Sequence, residues 1–192
     1  MARHKGLSFY KRRKKISIGI VKEVLVWFFL LALSVFLALT LVFFFGMTTD
    51  VVGVAMESEL SNGQRVLINR LSYSLFNPKA GDVVVFLPNG NENSHLYVKR
   101  VVAVQGDTLC IADGILYVND VPSDIISDRI EDAGIAINPI KLANDEYFVI
   151  GDNINNSEDS RSPNIGQIRA EDIVGKAYFK LKNGNSKAGF IK

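Results

Sequence analysis

Tyr97-Val98-Lys99-Arg100-Val101-Val102-Ala103-Val104 is the stretch that decides how the larger part of this chain folds. With Leu96 it forms an apolar run that reads as a β-strand. Side chains alternate along a strand, so Lys99 shares a face with Tyr97, Val101 and Ala103, while Arg100 points the other way. A lysine so placed has two readings. Desolvation on an apolar face disfavours the ammonium and lowers the pKa, which is what a lysine general base requires. Alternatively it is an edge-strand lysine whose head reaches water.

Similar runs recur on both sides, at Val51 to Met56, Arg65 to Asn69, Val83 to Leu87, Gly114 to Asn119, Glu146 to Ile150 and Ile173 to Lys182. Turn signals separate them: Asn62-Gly63, Ala80-Gly81-Asp82, Pro88-Asn89-Gly90, Gly106-Asp107 and Asp113-Gly114. The helical signal is weak throughout this part. The pattern predicts one mainly β, antiparallel, barrel-like or folded-sheet domain over residues 46–192, without internal repeat. Pro122 to Asn144 is polar and irregular and reads as an excursion between strands, and Asn183-Gly184-Asn185-Ser186-Lys187 as a turn-rich end.

Ahead of that domain the composition changes. Hydrophobic residues make up 48% of the 192, and they concentrate from Val24 to Phe45, which carries no charge and is interrupted only by Ser34 and Thr40. As a helix this stretch covers roughly 33 Å, against about 30 Å for the hydrocarbon core of a bilayer. A cleavable secretory signal is the competing reading, but its apolar core is usually about 7 to 15 residues long and ends in small residues. Here Phe43-Phe44-Phe45-Gly46-Met47-Thr48 closes a longer run, which favours an uncleaved anchor. A helix apolar on every face would also need more surrounding protein than this chain supplies to be a soluble core helix.

Eight of the 22 Lys and Arg residues precede the span, against one acid, Glu23; the remaining 14 basic and 19 acidic residues give the rest a net charge of −5. Residues 1–23 thus read as a basic cytoplasmic tail, 24–45 as a single membrane span and 46–192 as an extracytoplasmic domain. The cluster Lys11-Arg12-Arg13-Lys14-Lys15 is explained by this topology and by anionic lipid headgroups rather than by nucleic acid. Cys110 is alone, so no internal disulfide forms, and it reads as a small buried residue. No His/Cys spacing suits a metal, no cofactor is implied, and His95 reads as a loop residue.

Several motifs then agree in order and spacing. They are Gly63-Gln64-Arg65-Val66-Leu67-Ile68, Lys99 through Gly106-Asp107, Gly114 to Asn119, Gly151-Asp152-Asn153 through Ser157, Asp159-Ser160-Arg161, Gly166, and Ile173-Val174-Gly175-Lys176-Ala177. Together with the span they resemble the type I signal peptidase family over most of residues 24–180. The resemblance implies a membrane-bound serine protease with a Ser/Lys dyad that removes signal peptides from exported proteins on the outer face of the membrane. It implies that Lys99 is the general base, that Ser157 orients it, and that Asp159 and Arg161, with Asp152 nearby, are structural groups beside the site. Substrates of the family lie as a strand beside the segments that match Val51, Val52, Gly53 and Val54 and Leu96, Tyr97 and Val98 here.

The family's nucleophile lies in a Ser-Met-x-Pro-Thr-Leu segment, and the equivalent here is Ala55-Met56-Glu57-Ser58-Glu59-Leu60. Gln64 also stands where aspartate is usual, and Ile154 where arginine follows Gly-Asp-Asn. An alanine methyl cannot form an acyl-enzyme. Ser58 is the nearest substitute, but three residues of extended chain move the Cα roughly 10 Å, whereas a base needs approach near 3 Å. Departures at Ser58, Glu59 and Gln64 point to drift of the whole segment rather than to one introduced substitution.

The favoured expectation is a non-proteolytic relative whose groove binds an extended peptide by backbone pairing, which needs no nucleophile. Exported preproteins or pilin subunits are the implied partners, together with membrane lipid, because relatives lacking a complete dyad are associated with pilus assembly. The alternative is an active signal peptidase with Ser58 displaced into the nucleophile's role and Lys99 as base. A plain membrane-anchored β domain without a ligand is the third reading. A Lys99 pKa near or above its ordinary value, set by acidic neighbours such as Glu57 or Glu59, would count against a poised base.

Overall fold

The computed structural model describes residues 18–192, apart from 92 and 185. The basic run from Arg3 to Lys15 therefore lies outside the described residues. Helix α1 spans Ile18–Phe45, exposes nearly every side chain, and is long and apolar enough to cross a membrane. The chain separates into a first unit ending at Thr40 and a second running from Leu41 to Lys192.

The second unit is built of two antiparallel sheets. The larger is ordered β1-β2-β11-β3-β4-β9-β10, with β12 pairing on β11. Its strands are β1 (Met47–Asp50), β2 (Arg65–Asn69), β3 (Val83–Phe86), β4 (Tyr97–Ala103), β9 (Glu146–Ile150), β10 (Ile168–Arg169), β11 (Ile173–Lys180) and β12 (Gly189–Phe190). The smaller sheet is ordered β7-β6-β5-β8, from β5 (Thr108–Ala112), β6 (Ile115–Val118), β7 (Val121–Pro122) and β8 (Ile140–Lys141). A short helix, α2 (Leu71–Leu75), follows β2. The mainly β, antiparallel expectation holds.

Burial explains the order. All four residues of β3 are buried, because Val83 and Val85 face one core while Val84 and Phe86 face another. A strand covered on both faces reads as a continuous apolar run rather than an alternating one. It pairs with β4 in the register Val84 opposite Lys99 and Val85 opposite Val98, so the lysine strand lies inside the sheet and not at its edge. The smaller sheet closes over the far part of β4 and β9, with Val102, Leu109, Ile111, Leu116, Phe148 and Ile150 packed together.

Some expectations fail. Val51 to Met56 is not a strand; the edge strand is β1, just before it. The Val51 amide donates to the Gln64 carbonyl and the Gly63 amide to that of Val51, but Gly53 then takes φ +83° and the chain turns. The Met56 carbonyl accepts from the amides of Ser58, Glu59 and Leu60, so Ala55 to Glu59 is a turn and not the extended chain assumed for Ser58. Thr108–Ala112 is a strand that the pattern did not single out, and Cys110 on it is half-buried rather than buried, because Leu109 and Ile111 take the inward face. The short α2, β8 inside the polar excursion and β12 after the terminal turn were likewise not anticipated.

Candidate active site

Three segments converge on Lys99: the turn at 53–56, strand β4, and the loop 151–161 that leaves β9. The loop is held by its own polar groups. Ser160 is fully buried; its amide donates to the Val149 carbonyl and its Oγ accepts the Val149 amide, which folds the loop back on β9. Arg161 and Asp159 form a buried two-pronged ion pair at 2.8 and 2.9 Å. Asp159 also accepts the Gly151 amide at 3.1 Å, while Arg161 donates to the carbonyls of Asp132 and Ile154. A buried charge pair is tolerated only when its remaining hydrogen-bonding capacity is satisfied, and here it is.

Gly151 sets the spacing. A Cβ there would stand 2.2 Å from Ser157 Oγ and 2.5 Å from the Ala55 carbonyl oxygen, so the backbone passes between the two with no room for a side chain. Beyond it the Asn153 amide donates to the Ala55 carbonyl at 2.9 Å, and Asn153 Nδ2 to that of Val54 at 3.1 Å. These bonds tie the segment carrying Ala55 to the loop carrying Ser157. On the opposite face of β4, Arg100 donates two hydrogen bonds of 2.7 Å to Asp152.

Lys99 is 5% exposed, and its Nζ donates to Ser157 Oγ at 3.1 Å. Burial pushes its pKa down to about 8, against the opposing pull of Asp159 and then Glu158, with Arg161 adding to the lowering. Desolvation of an ammonium outweighs attraction from carboxylates whose own charge is engaged or solvated. The acids that act on Lys99 are therefore not Glu57 or Glu59: Lys180 binds both the carboxylate and the carbonyl of Glu59 at 2.7 Å. At pH 7 a pKa of about 8 leaves roughly a tenth of the lysine neutral, on the order of 300 times the fraction at its ordinary value. A neutral amine held by a hydroxyl is equipped to take a proton.

A cleft of about 190 Å³ opens above this lysine. It is lined by Val51 to Met56, His95 to Lys99, Asn156 and Glu158. Ala55 thus lines the same cleft as Lys99. Ser58 lines a different one, together with Glu59, Arg100 and Asp152. His95 is no bystander: its ring stacks on Tyr97 at 4.9 Å, and Lys99 Nζ lies 5.8 Å from the centre of the same Tyr97 ring. Tyr97 and Lys99 share that side because of the two-residue period of β4, a signal present in the sequence, and His95 joins them from the loop before the strand. The contributions of Asn153 and Glu158 depend on how the loop folds and carry no such signal.

Comparison with known proteins gives the chain's family. The family model described as "Signal peptidase, peptidase S26" matches residues 21–182. A "Signal peptidase I P" of Bacillus subtilis subsp. natto is 34% identical over 174 residues, covering 86% of this chain and 89% of that one. "Signal peptidase I T" of Bacillus subtilis (strain 168) is 32% identical over 162 residues, covering 80% and 82%. A crystal structure of a signal peptidase I from Enterococcus faecalis V583 overlays with a TM-score of 0.39 at 23% identity, covering 53% of this chain and 97% of that one. That overlay is too partial to add to the sequence matches.

Proposed function

This chain belongs to the signal peptidase, peptidase S26, family, and on that premise we propose that it binds the signal-peptide region of exported precursors in the cleft above Lys99 without cutting it. The observation that carries the reading is Ala55. It lines the cleft beside a lysine that is buried, depressed in pKa and hydrogen-bonded to Ser157, so the base and the groove are present and the nucleophile is not. A methyl group has no lone pair with which to attack a carbonyl, and no placement of Lys99 alters that.

Backbone pairing along Leu96 to Val98 supplies affinity independent of catalysis. The Val51 amide and carbonyl, the Gly53 amide and the Val54 carbonyl are already bonded within the chain, which leaves Val51 to Val54 as a wall rather than a pairing strand. In this reading Ser157 orients Lys99, the Asp159–Arg161 pair holds the loop, and α1 anchors the chain with residues after about Gly46 outside the cytoplasmic membrane. Precursors of surface structures such as pilin subunits are the partner class that suits a binding role, with membrane lipid around α1. A displaced nucleophile at Ser58 would have to reach a cleft that its side chain does not line.

The test is cleavage of a preprotein with a small-residue cleavage site by the detergent-solubilised chain and by its Ala55→Ser variant, read by mass spectrometry. Binding without product in the parent, and product after the substitution, is the expected pair of results. Product from the parent chain would overturn the non-proteolytic reading and direct attention to Ser58.

A further inference from the structure

One charged group of the cleft has no task in the site described above. Glu158 lies between two fixed neighbours: Ser157, bonded to Lys99, and Asp159, locked on Arg161. Its own side chain is exposed at the cleft wall and, among the described residues, takes part in no ion pair and no side-chain hydrogen bond. Every other acid on the segments that build the site is engaged or lies elsewhere. Asp152 binds Arg100, Asp159 binds Arg161, Glu59 binds Lys180, and Glu57 does not line the cleft.

We propose that Glu158 is a specificity-determining residue: it selects an extended peptide bearing a lysine or arginine side chain that enters the cleft it lines together with His95 and Tyr97. This rests on the peptide-binding reading and names the chemistry of its occupant. Three observations support it. The accessible formal charge of the cleft belongs to Glu158, because Lys99 is buried at its floor and bonded to Ser157. The same cleft is lined by aromatic rings, His95 stacked on Tyr97, and an aromatic surface in a cleft with a carboxylate accommodates the long stem and cationic head of a basic side chain. The carboxylate is also carried on backbone held on both sides, so little ordering is lost when a cation arrives. Glu158 works against base function besides, since its charge raises the pKa that burial lowers at Lys99.

The test uses the full chain in detergent and fluorescence anisotropy with a labelled extended peptide carrying an Ala-X-Ala core. Lysine, norleucine or glutamate is placed at each position in turn. At one position the lysine peptide is expected to bind up to about five-fold more tightly than its norleucine counterpart at low salt, the range of a solvent-exposed ion pair. Glu158→Gln should abolish that ratio, and Glu158→Lys should transfer the preference to the glutamate peptide. A lysine preference that survives Glu158→Gln, or the absence of any charge preference among peptides that do bind, overturns this proposal alone. Failure of every peptide to bind overturns the groove reading as well.

Discussion

Gly151→Ala is the substitution that most directly probes how the site is assembled. The glycine has an ordinary φ, so alanine meets no backbone penalty, and the whole effect comes from one methyl group. That methyl would sit 2.2 Å from Ser157 Oγ, 2.7 Å from Ser157 Cβ and 2.5 Å from the Ala55 carbonyl oxygen. The Ser157 hydroxyl can rotate away, but Ser157 Cβ and the Ala55 carbonyl are fixed by the backbone, so the 151–157 loop and the Ala55 segment must separate. Overpacking of this kind costs about 1–3 kcal/mol, and loss of the Lys99–Ser157 hydrogen bond adds about 1. A total of about 2–4 kcal/mol corresponds to a drop in Tm of roughly 4–16 °C for a chain of this size.

The companion readout is the pH dependence of Lys99 acylation by an amine reagent, followed peptide by peptide. Opening the loop admits water to a lysine whose pKa is held near 8 chiefly by burial, so its pKa should climb toward the ordinary 10.5 by about one unit or more. Gly53→Ala is the control. Nothing lies within 4 Å of its added Cβ, but its φ of +83° costs alanine about 1–2 kcal/mol. It should lower Tm and leave Lys99 near 8. An unchanged Tm in Gly151→Ala, or the same Lys99 pKa in both variants, would refute the claim that this glycine's missing side chain sets the site.

Lys99→Met should change stability in a pH-dependent way. The folded chain binds the Lys99 proton less tightly than the unfolded chain, so the parent loses stability as pH falls from about 10.5 to about 8 and stays at the lower level below that. Methionine removes that penalty, on the order of 3 kcal/mol, and forfeits about 1 for the bond to Ser157. The variant should therefore melt higher than the parent at pH 6.5 and no higher at pH 10.5; a difference in Tm independent of pH would reject the assignment. Gln64→Asp, which restores the residue usual in the family, should destabilise by about 1–3 kcal/mol or more. Gln64 is 1% exposed and its Nε2 donates to the carbonyls of Leu181 and Lys187, which a carboxylate would confront with a like partial charge. Urea titration of the two forms measures it, and equal midpoints would contradict the bonding described.

Gln64 and Glu59 also show that the segment around Ala55 is kept in place by bonds of its own. Glu59 is bound by Lys180, and Gln64 takes the Ser61 amide on its Oε1 while reaching across to Leu181. Met56 and Leu60 are each 1% exposed within the core of β2, β3 and β11 side chains. Under the binding role proposed above, Lys99 carries its desolvation cost without acylation chemistry to set against it.

Much of this molecule follows from local pattern. The apolar run ending at Phe45, the continuous apolar stretch of β3 and the alternation along β4 depend on solvent exclusion over a few neighbouring residues, and such patterns are written in order along the chain. The motif spacing likewise singled out Lys99, Ser157 and Ala55; the first two are hydrogen-bonded, and Ala55 lines the cleft with Lys99. What needed the tertiary structure was everything decided by a loop's return path. The turn at Gly53, the passage of Gly151 between Ser157 and Ala55, the separation of Ser58 from the lysine's cleft and the place of Glu158 in that cleft all depend on residues far apart in sequence. So does the pKa of Lys99. Its depression is a property of how much water the packed segments exclude, and no arrangement of neighbours along one strand determines that.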